Sequence, residues 1–206
     1  MTASVKPILL FVPVIYLMSI CPRNCRADGF DPATTEVSTL FTDLGPNGPY
    51  PRGLRLVTFY GGFAEQPTGE REQLSFCTAG LNYYFADNWA FGIEAKGLWA
   101  DQNDHDSDAG GADILLRTHL VNYGNFSFFG DFSAGVLEAD HTIPPSGTDF
   151  NFTIETGVGT MYRLNEHLEV ISGLRYMHLS NARQEGPNRN PSLNAIEGYL
   201  GLVWRM

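Results

Sequence analysis

The chain has 206 residues, with 13 basic side chains against 23 acidic ones and a formal net charge of −10 at neutral pH. That balance argues against nucleic acid as a partner. Charged residues are few (17%) and aromatics plentiful (13%), yet after residue 27 no apolar run approaches the roughly 20 residues of a membrane-spanning helix. Few charges, many glycines and aromatics, and no long apolar run together fit a transmembrane β-barrel, whose apolar signal is dispersed over alternating strands.

Residues 1–27 read as a signal peptide. Lys6 gives the positive start, Pro7 to Ile20 the apolar stretch, and Cys25-Arg26-Ala27 the cleavage site. A lipoprotein reading with Cys21 as the modified residue is the weaker one, because Ile20 is too large to precede it. Cleavage near Ala27 removes Lys6, Arg23 and Arg26 and leaves the mature chain more acidic. Cys77 is then the sole cysteine, so no intrachain disulfide framework is available. Residues 28–53, ending in Gly45-Pro46-Asn47-Gly48-Pro49, read as an irregular N-terminal segment.

Eight strand-like runs follow within 54–206, near 54–64, 71–85, 89–100, 112–122, 126–137, 150–163, 167–180 and 193–205. The period of two is clearest in the middle runs. Phe126, Phe128, Phe132, Ala134 and Val136 share one face, with Ser127, Asp131 and Ser133 opposite. Phe150, Phe152, Ile154, Val158 and Tyr162 oppose Asn151, Thr153 and Glu155. Glu94, Lys96, Asp113, Arg117, Asp131, Glu155, Glu169 and Arg175 all fall on the polar side, whereas the other faces carry almost no charge. A soluble sandwich or lipocalin-like barrel would turn the apolar face inward. It leaves so many aromatics on one face of every strand unexplained, so an eight-stranded antiparallel transmembrane β-barrel is expected, with a lumenal ion-pair network. The first two runs alternate poorly.

The connections at 86–88, 123–125 and 164–166 are tight, and those at 65–70, 101–111, 138–149 and 181–192 are longer. Short periplasmic turns and longer external loops alternate in this way in outer-membrane barrels. The register places the end of the seventh strand and the start of the eighth at the outer rim. Eight strands enclose a lumen that side chains can fill, so an open pore is not expected.

That rim carries a serine, a histidine and a carboxylate, the groups an acyl-transfer enzyme needs. His178 and Ser180 stand two apart on one strand, about 6.6 Å along it, and share a face with Leu168, Val170, Leu174 and Tyr176. Symmetric closure of the 181–192 loop sets His178 roughly opposite Ile196, with Glu197 a near neighbour. The parity of Glu197, with Ala195, Tyr199 and Val203, is compatible with an outward face, although Ile196, Leu200 and Leu202 are equally apolar. A His-x-Ser pattern by itself is common, and rim polar groups often only bind loops or headgroups. Outward parity at the rim raises its interest.

The segment Arg175-Tyr-Met-His178-Leu-Ser180-Asn181-Ala182, then Pro187-Asn188, Asn194-Ala-Ile-Glu197 and an aromatic-rich last strand, resembles the end of the PagL-type lipid A 3-O-deacylases. The resemblance is specific over 150–206 and architectural before it. It implies an outer-membrane esterase of the bacterial envelope acting on lipid A or lipopolysaccharide of the outer leaflet. Ser180 would be the nucleophile, His178 the general base, Glu197 the residue that orients it, and Asn181 a contributor to oxyanion stabilisation; no cofactor or metal is implied. The family commonly has glycine after Asn-Ala, where this chain has Arg183. The peptide N–H at that position survives unless the backbone needs a positive φ. The Arg183 guanidinium suits a lipid phosphate, or simply a solvated loop.

The remaining motifs carry less. Asp101-Gln-Asn103-Asp104-His105-Asp106-Ser-Asp108 departs from a calcium loop, with Ala109 where glycine is required and Leu115 in place of the final glutamate, and reads as a solvated acidic loop. His105, His119 and His141 share no metal-ligand spacing. The rival function is a non-catalytic OmpA/OmpX-like barrel in envelope stability or adhesion.

Overall fold

The computed structural model describes residues 49–67, 73–102, 105–184, 186 and 191–206. The expected signal peptide, most of the segment expected to be irregular, Pro187 and Asn188 lie outside these. Eight antiparallel strands close into a barrel in sequence order: β1 Arg55–Glu65, β2 Gln73–Ala86, β3 Trp89–Asp101, β4 Ser107–Tyr123, β5 Phe126–Ile143, β6 Thr148–Arg163, β7 Leu168–Ser180 and β8 Leu193–Arg205. Strand β8 pairs back onto β1, with Leu56 opposite Arg205 and Glu65 opposite Ile196, so no edge is left unpaired.

The tight connections are hairpin turns at one rim. Gly124 adopts φ 54 between Tyr123 and Phe126, the positive φ that a two-residue turn needs to match strand twist. Asn88 takes φ 64 between Ala86 and Trp89, where the pairing shifts register after Tyr84. At the opposite rim two connections are shorter than the sequence suggested. Strand β4 begins at Ser107 rather than 112, and β5 runs on to Ile143. Side-chain bonds explain the extension. Asp140 accepts from Ser107 Oγ (3.0 Å) and from the Asp108 N–H (2.9 Å). The Asn151 amide donates to the carbonyls of Ile143 and Thr148, both at 3.0 Å, and closes the β5–β6 hairpin.

Aromatic and aliphatic side chains cover the outside, among them Phe59, Phe91, Ile93, Ile114, Phe132, Val158, Leu200 and Leu202. Tyr83, Trp89, Tyr123, Tyr162 and Trp204 gather at the strand ends beside the tight turns, as in the aromatic girdle of a membrane barrel. The lumen is layered rather than polar throughout. Its middle is an ion-pair band: Arg175 binds Asp131 (2.8 Å) and Glu155 (3.3 Å), Arg117 binds Asp131 (3.0 Å), and Lys96 pairs with Glu155. Above and below it lie two apolar plugs. Tyr60, Phe76, Tyr84, Phe129, Met161 and Tyr199 fill the tight-turn end, and Leu74, Leu98, Leu137, Met177, Leu179 and Leu193 fill the loop end.

These inward apolar residues explain why β1 and β2 alternate poorly in sequence. In β2, Leu74, Phe76 and Tyr84 point in while Gln73, Ser75 and Cys77 point out, so the usual polarity is locally reversed. The end of the irregular segment is also built into the barrel. Tyr50 is buried, stacks on His119 at 3.6 Å between ring centroids, and donates its hydroxyl to Glu169 at 2.7 Å. Arg163 and Arg205 both donate to the Pro49 carbonyl, at 3.1 and 2.8 Å. The tight-turn end is thereby stoppered.

Candidate active site

Strand β7 ends at Ser180, and its inward residues Arg175, Met177 and Leu179 are buried in the lumen. The alternate residues Leu174, Tyr176, His178 and Ser180 therefore project outward. Both His178 and Ser180 are half-buried among their neighbours on the outer wall. On β6, Ile154 stands opposite His178 and Phe152 opposite Ser180. Phe150 and Phe152 meet edge to face at 5.4 Å, giving an apolar flank beside the serine.

On β8 the residue opposite His178 is Asn194, two positions before the Ile196 expected from symmetric loop closure. The contact is direct: His178 Nδ1 lies 2.8 Å from Asn194 Oδ1. The Tyr176 hydroxyl donates to the same oxygen at 2.6 Å. With Nδ1 engaged in this way, Nε2 is the imidazole nitrogen left for Ser180, the next outward residue on the strand.

Glu197 does not join them. It pairs in register with Arg175, not with an outward residue, and is 0% exposed inside the lumen. Its nearest cation is Lys96, Nζ to Oε1 3.6 Å. The expected orienting contact from Glu197 to His178 is corrected accordingly, because the two side chains leave opposite faces of the wall. Cross-strand partners share a face, so the even-numbered residues of β8 accompany His178 and the odd-numbered ones fill the lumen.

Asn181 and Arg183 form the turn that follows the serine. The Gln184 N–H donates to the Asn181 carbonyl (3.1 Å), and Ala182 and Arg183 adopt φ 52 and φ 63. Positive φ at both central residues is the type I′ arrangement, in which glycine, asparagine and aspartate predominate. The condition that puts the Arg183 backbone at a disadvantage is thus met. Its N–H also donates to Asn181 Oδ1 at 2.9 Å, so it is engaged in holding the turn. Asn181 is 3% exposed, and its side-chain oxygen accepts the Arg183 N–H. The Arg183 side chain is exposed at the rim.

Sequence reasoning missed Asn194 as the partner of His178, and Tyr176 as a second donor to the same Asn194 oxygen. The available signal was pairing: once an even-numbered β8 residue stands opposite His178, as symmetric closure already placed Ile196 and the structure places Asn194, Glu197 must face inward. Of the acidic stretch, Asn103 and Asp104 lie outside the described residues; Asp108 serves the β4–β5 extension. His119 lies in the lumen, with Nδ1 2.5 Å from Ser127 Oγ and Nε2 2.7 Å from the Tyr84 hydroxyl. Among the described residues no group of three or more potential ligands could hold a metal ion.

A family model described as lipid A 3-O-deacylase (PagL) matches residues 72–203, which includes the whole outer-wall site. The chain belongs to the PagL family. Among solved structures, the crystal structure of the outer membrane enzyme PagL superposes with a TM-score of 0.51 at 17% identity, covering 73% of this chain and 98% of that one. Neisserial surface protein A superposes equally well, with a TM-score of 0.51 at 14% identity over 74% of this chain and 95% of its own. At those identities the likeness is one of fold, an outer-membrane β-barrel. No curated protein matches the chain by sequence. Membership of the PagL family makes the chain a lipid A deacylase by family, carried on an outer-membrane barrel.

Proposed function

We propose that the protein hydrolyses an ester-linked acyl chain of lipid A, the 3-O chain that its family description names, using Ser180 and His178. The observation that carries this reading is their placement. Both side chains face outward at the loop rim, and His178 is held through Nδ1 by Asn194. Short turns mark the periplasmic rim of outer-membrane barrels and longer loops the external one. The site then lies at the level of the outer leaflet, exported there by the signal segment 1–27. An esterase whose substrate is a membrane lipid needs no cleft, because the substrate already lies against the wall.

The chemistry follows the serine-hydrolase pattern in two steps. Ser180 Oγ attacks the acyl carbonyl while its proton passes to His178 Nε2; the ester C–O bond then breaks, and the imidazolium returns that proton to the departing lipid A oxygen. The acyl-serine is hydrolysed by water, with His178 again taking the proton, and a free fatty acid leaves. Asn181 contributes by holding the turn that fixes the strand end carrying Ser180. The exposed Arg183 guanidinium suits a lipid A phosphate.

The test uses the full-length protein, refolded in detergent micelles containing lipid A and followed by mass spectrometry. The unmodified protein is expected to release one fatty acid, with fragmentation locating it at the 3-O position. Ser180→Ala and His178→Ala are expected to lower the rate by about 10³-fold or more while the barrel still folds. Full deacylation by Ser180→Ala sinks the reading. Lipid A left intact by the folded unmodified protein favours a non-catalytic barrel instead.

A further inference from the structure

We propose that His105 and His141 form a metal site at the loop rim, which takes one Zn²⁺ or Cu²⁺ ion through two imidazole nitrogens and leaves its other positions to solvent. The site is separate from Ser180 and His178 and does not depend on their reading.

Sequence spacing hides the pair, because strand pairing makes it. His105 stands just before β4 and His141 near the end of β5. The extension of these strands brings them together: Ser107 Oγ donates to the His141 carbonyl at 3.0 Å, and Gln102 Nε2 donates to the Thr142 carbonyl at 3.1 Å. The two rings lie with centroids 5.4 Å apart and planes tilted by 52°. Imidazoles that share a tetrahedral ion through Zn–N bonds of about 2.0–2.1 Å have ring centres roughly 5 Å apart. A stacked pair looks different, as Tyr50 on His119 shows at 3.6 Å and 15°.

Each ring has a nitrogen to give. His141 Nδ1 lies 3.2 Å from Asp140 Oδ1, and that oxygen is itself fixed by Ser107 Oγ and the Asp108 N–H. A carboxylate behind one ring nitrogen keeps the proton there, orients the ring and leaves the Nε2 lone pair for a metal. His105 Nε2 is buried and has no hydrogen-bond partner among the described residues, a costly state that a bound ion relieves. Gln102, 5% exposed and anchored beside them, carries a second buried acceptor without a partner, Oε1. Exposed Asp106, Asp108 and Asp140 give this corner a negative field that attracts a cation. No third imidazole, thiolate or carboxylate completes the set among the described residues, so the ion keeps open positions. Imidazole suits copper and zinc, with copper the tighter; calcium and magnesium demand oxygen ligands and are not expected to bind. The ion would staple the β3–β4 connection to the end of β5.

The experiment uses full-length protein without a histidine tag, refolded in detergent, stripped with a chelator and titrated with CuCl₂ or ZnCl₂ by calorimetry. One ion per chain is expected, and the electron paramagnetic resonance of the copper form should show nitrogen couplings from two imidazoles. His105→Ala and His141→Ala are each expected to weaken binding at least about 10-fold, the scale on which even residues supporting a metal ligand act. Both side chains lie at the rim, outside the packed lumen, so the variants should fold as the unmodified protein does. His167→Ala, whose ring stacks on Trp204 at the opposite rim, should leave the affinity unchanged. Absence of binding by the unmodified protein, an affinity unmoved by His105→Ala or His141→Ala, coupling to a single imidazole, or loss of binding in His167→Ala overturns the assignment.

Discussion

The two faces of the β7–β8 pair do opposite work with neighbouring residues. Inward, Arg175 stands opposite Glu197 in a band of buried ion pairs; outward, three residues along, His178 stands opposite Asn194. The inner face is over-determined. Arg175 touches Asp131, Glu155, Glu94 and the Tyr60 hydroxyl, and apolar layers close it off on both sides. The outer face is sparse: one imidazole and one phenol meet one amide oxygen, and Ser180 is the next outward residue on β7. Stability resides inside and chemistry is proposed outside, separated by the thickness of a single strand. That separation is what lets a barrel keep polar groups at a lipid surface: the packed lumen supplies the rigidity that their few bonds cannot.

The comparison breaks most sharply at Arg175. Its removal leaves Asp131, Glu155 and Glu94 in the lumen with fewer cations, and breaking such a buried network costs about 3–5 kcal/mol. Arg175→Met should therefore lower the urea midpoint for unfolding from lipid vesicles substantially. Its acyl-transfer rate, measured in the fraction that stays folded, should remain near normal. A folded but inactive Arg175→Met would show that the two faces are coupled.

Glu197 gives a smaller and more pointed test. It was expected beside His178 and instead lies in the lumen, where neither carboxylate oxygen makes a hydrogen bond among the described residues. Lys96 keeps Glu155 as its closer partner when Glu197 is neutralised. Glu197→Gln should change the unfolding free energy by no more than about 1 kcal/mol and leave kcat within a few-fold. Loss of turnover comparable with that of Ser180→Ala would show that the lumenal carboxylate acts on the outer wall after all.

The barrel was legible because its evidence is repeated. Each middle strand independently shows polar residues against aromatic ones, and the spacing of turns and loops repeats the topology. Single decisions were harder. On β8, Ala195, Tyr199 and Val203 are as apolar as Ile196, Leu200 and Leu202, because an apolar plug fills the loop end of the lumen and Tyr199 and Val203 pack at the other end. Polarity could not assign the face of Glu197. Pairing could, since the partner of an outward histidine must itself face outward. Tyr50 was hidden for a different reason: a short irregular stretch rich in proline and glycine carries no periodicity to show that its tyrosine enters the barrel. Local pattern reports faces; long-range pairing reports sites.

Arg183 offers the finest division of the outer rim, because two effects of one residue pull apart there. Its backbone occupies φ 63 in the turn closed by Asn181, a conformation that costs a side-chain-bearing residue about 1 kcal/mol or somewhat more. Glycine removes that strain but loses more chain entropy on folding, so Arg183→Gly should stabilise the turn by only a few tenths of a kcal/mol to about 1 kcal/mol. Slower amide exchange at Gln184, whose N–H closes the turn, is the measurement. The guanidinium acts separately, through the proposed lipid phosphate. If it binds there, Arg183→Gly raises KM several-fold with kcat unchanged, and Arg183→Lys, which keeps both the charge and the strained backbone, recovers most of that affinity without the slower exchange. An unchanged KM in Arg183→Gly would assign Arg183 to the turn alone and leave substrate contact to the wall formed by Phe152, Ile154 and Tyr176.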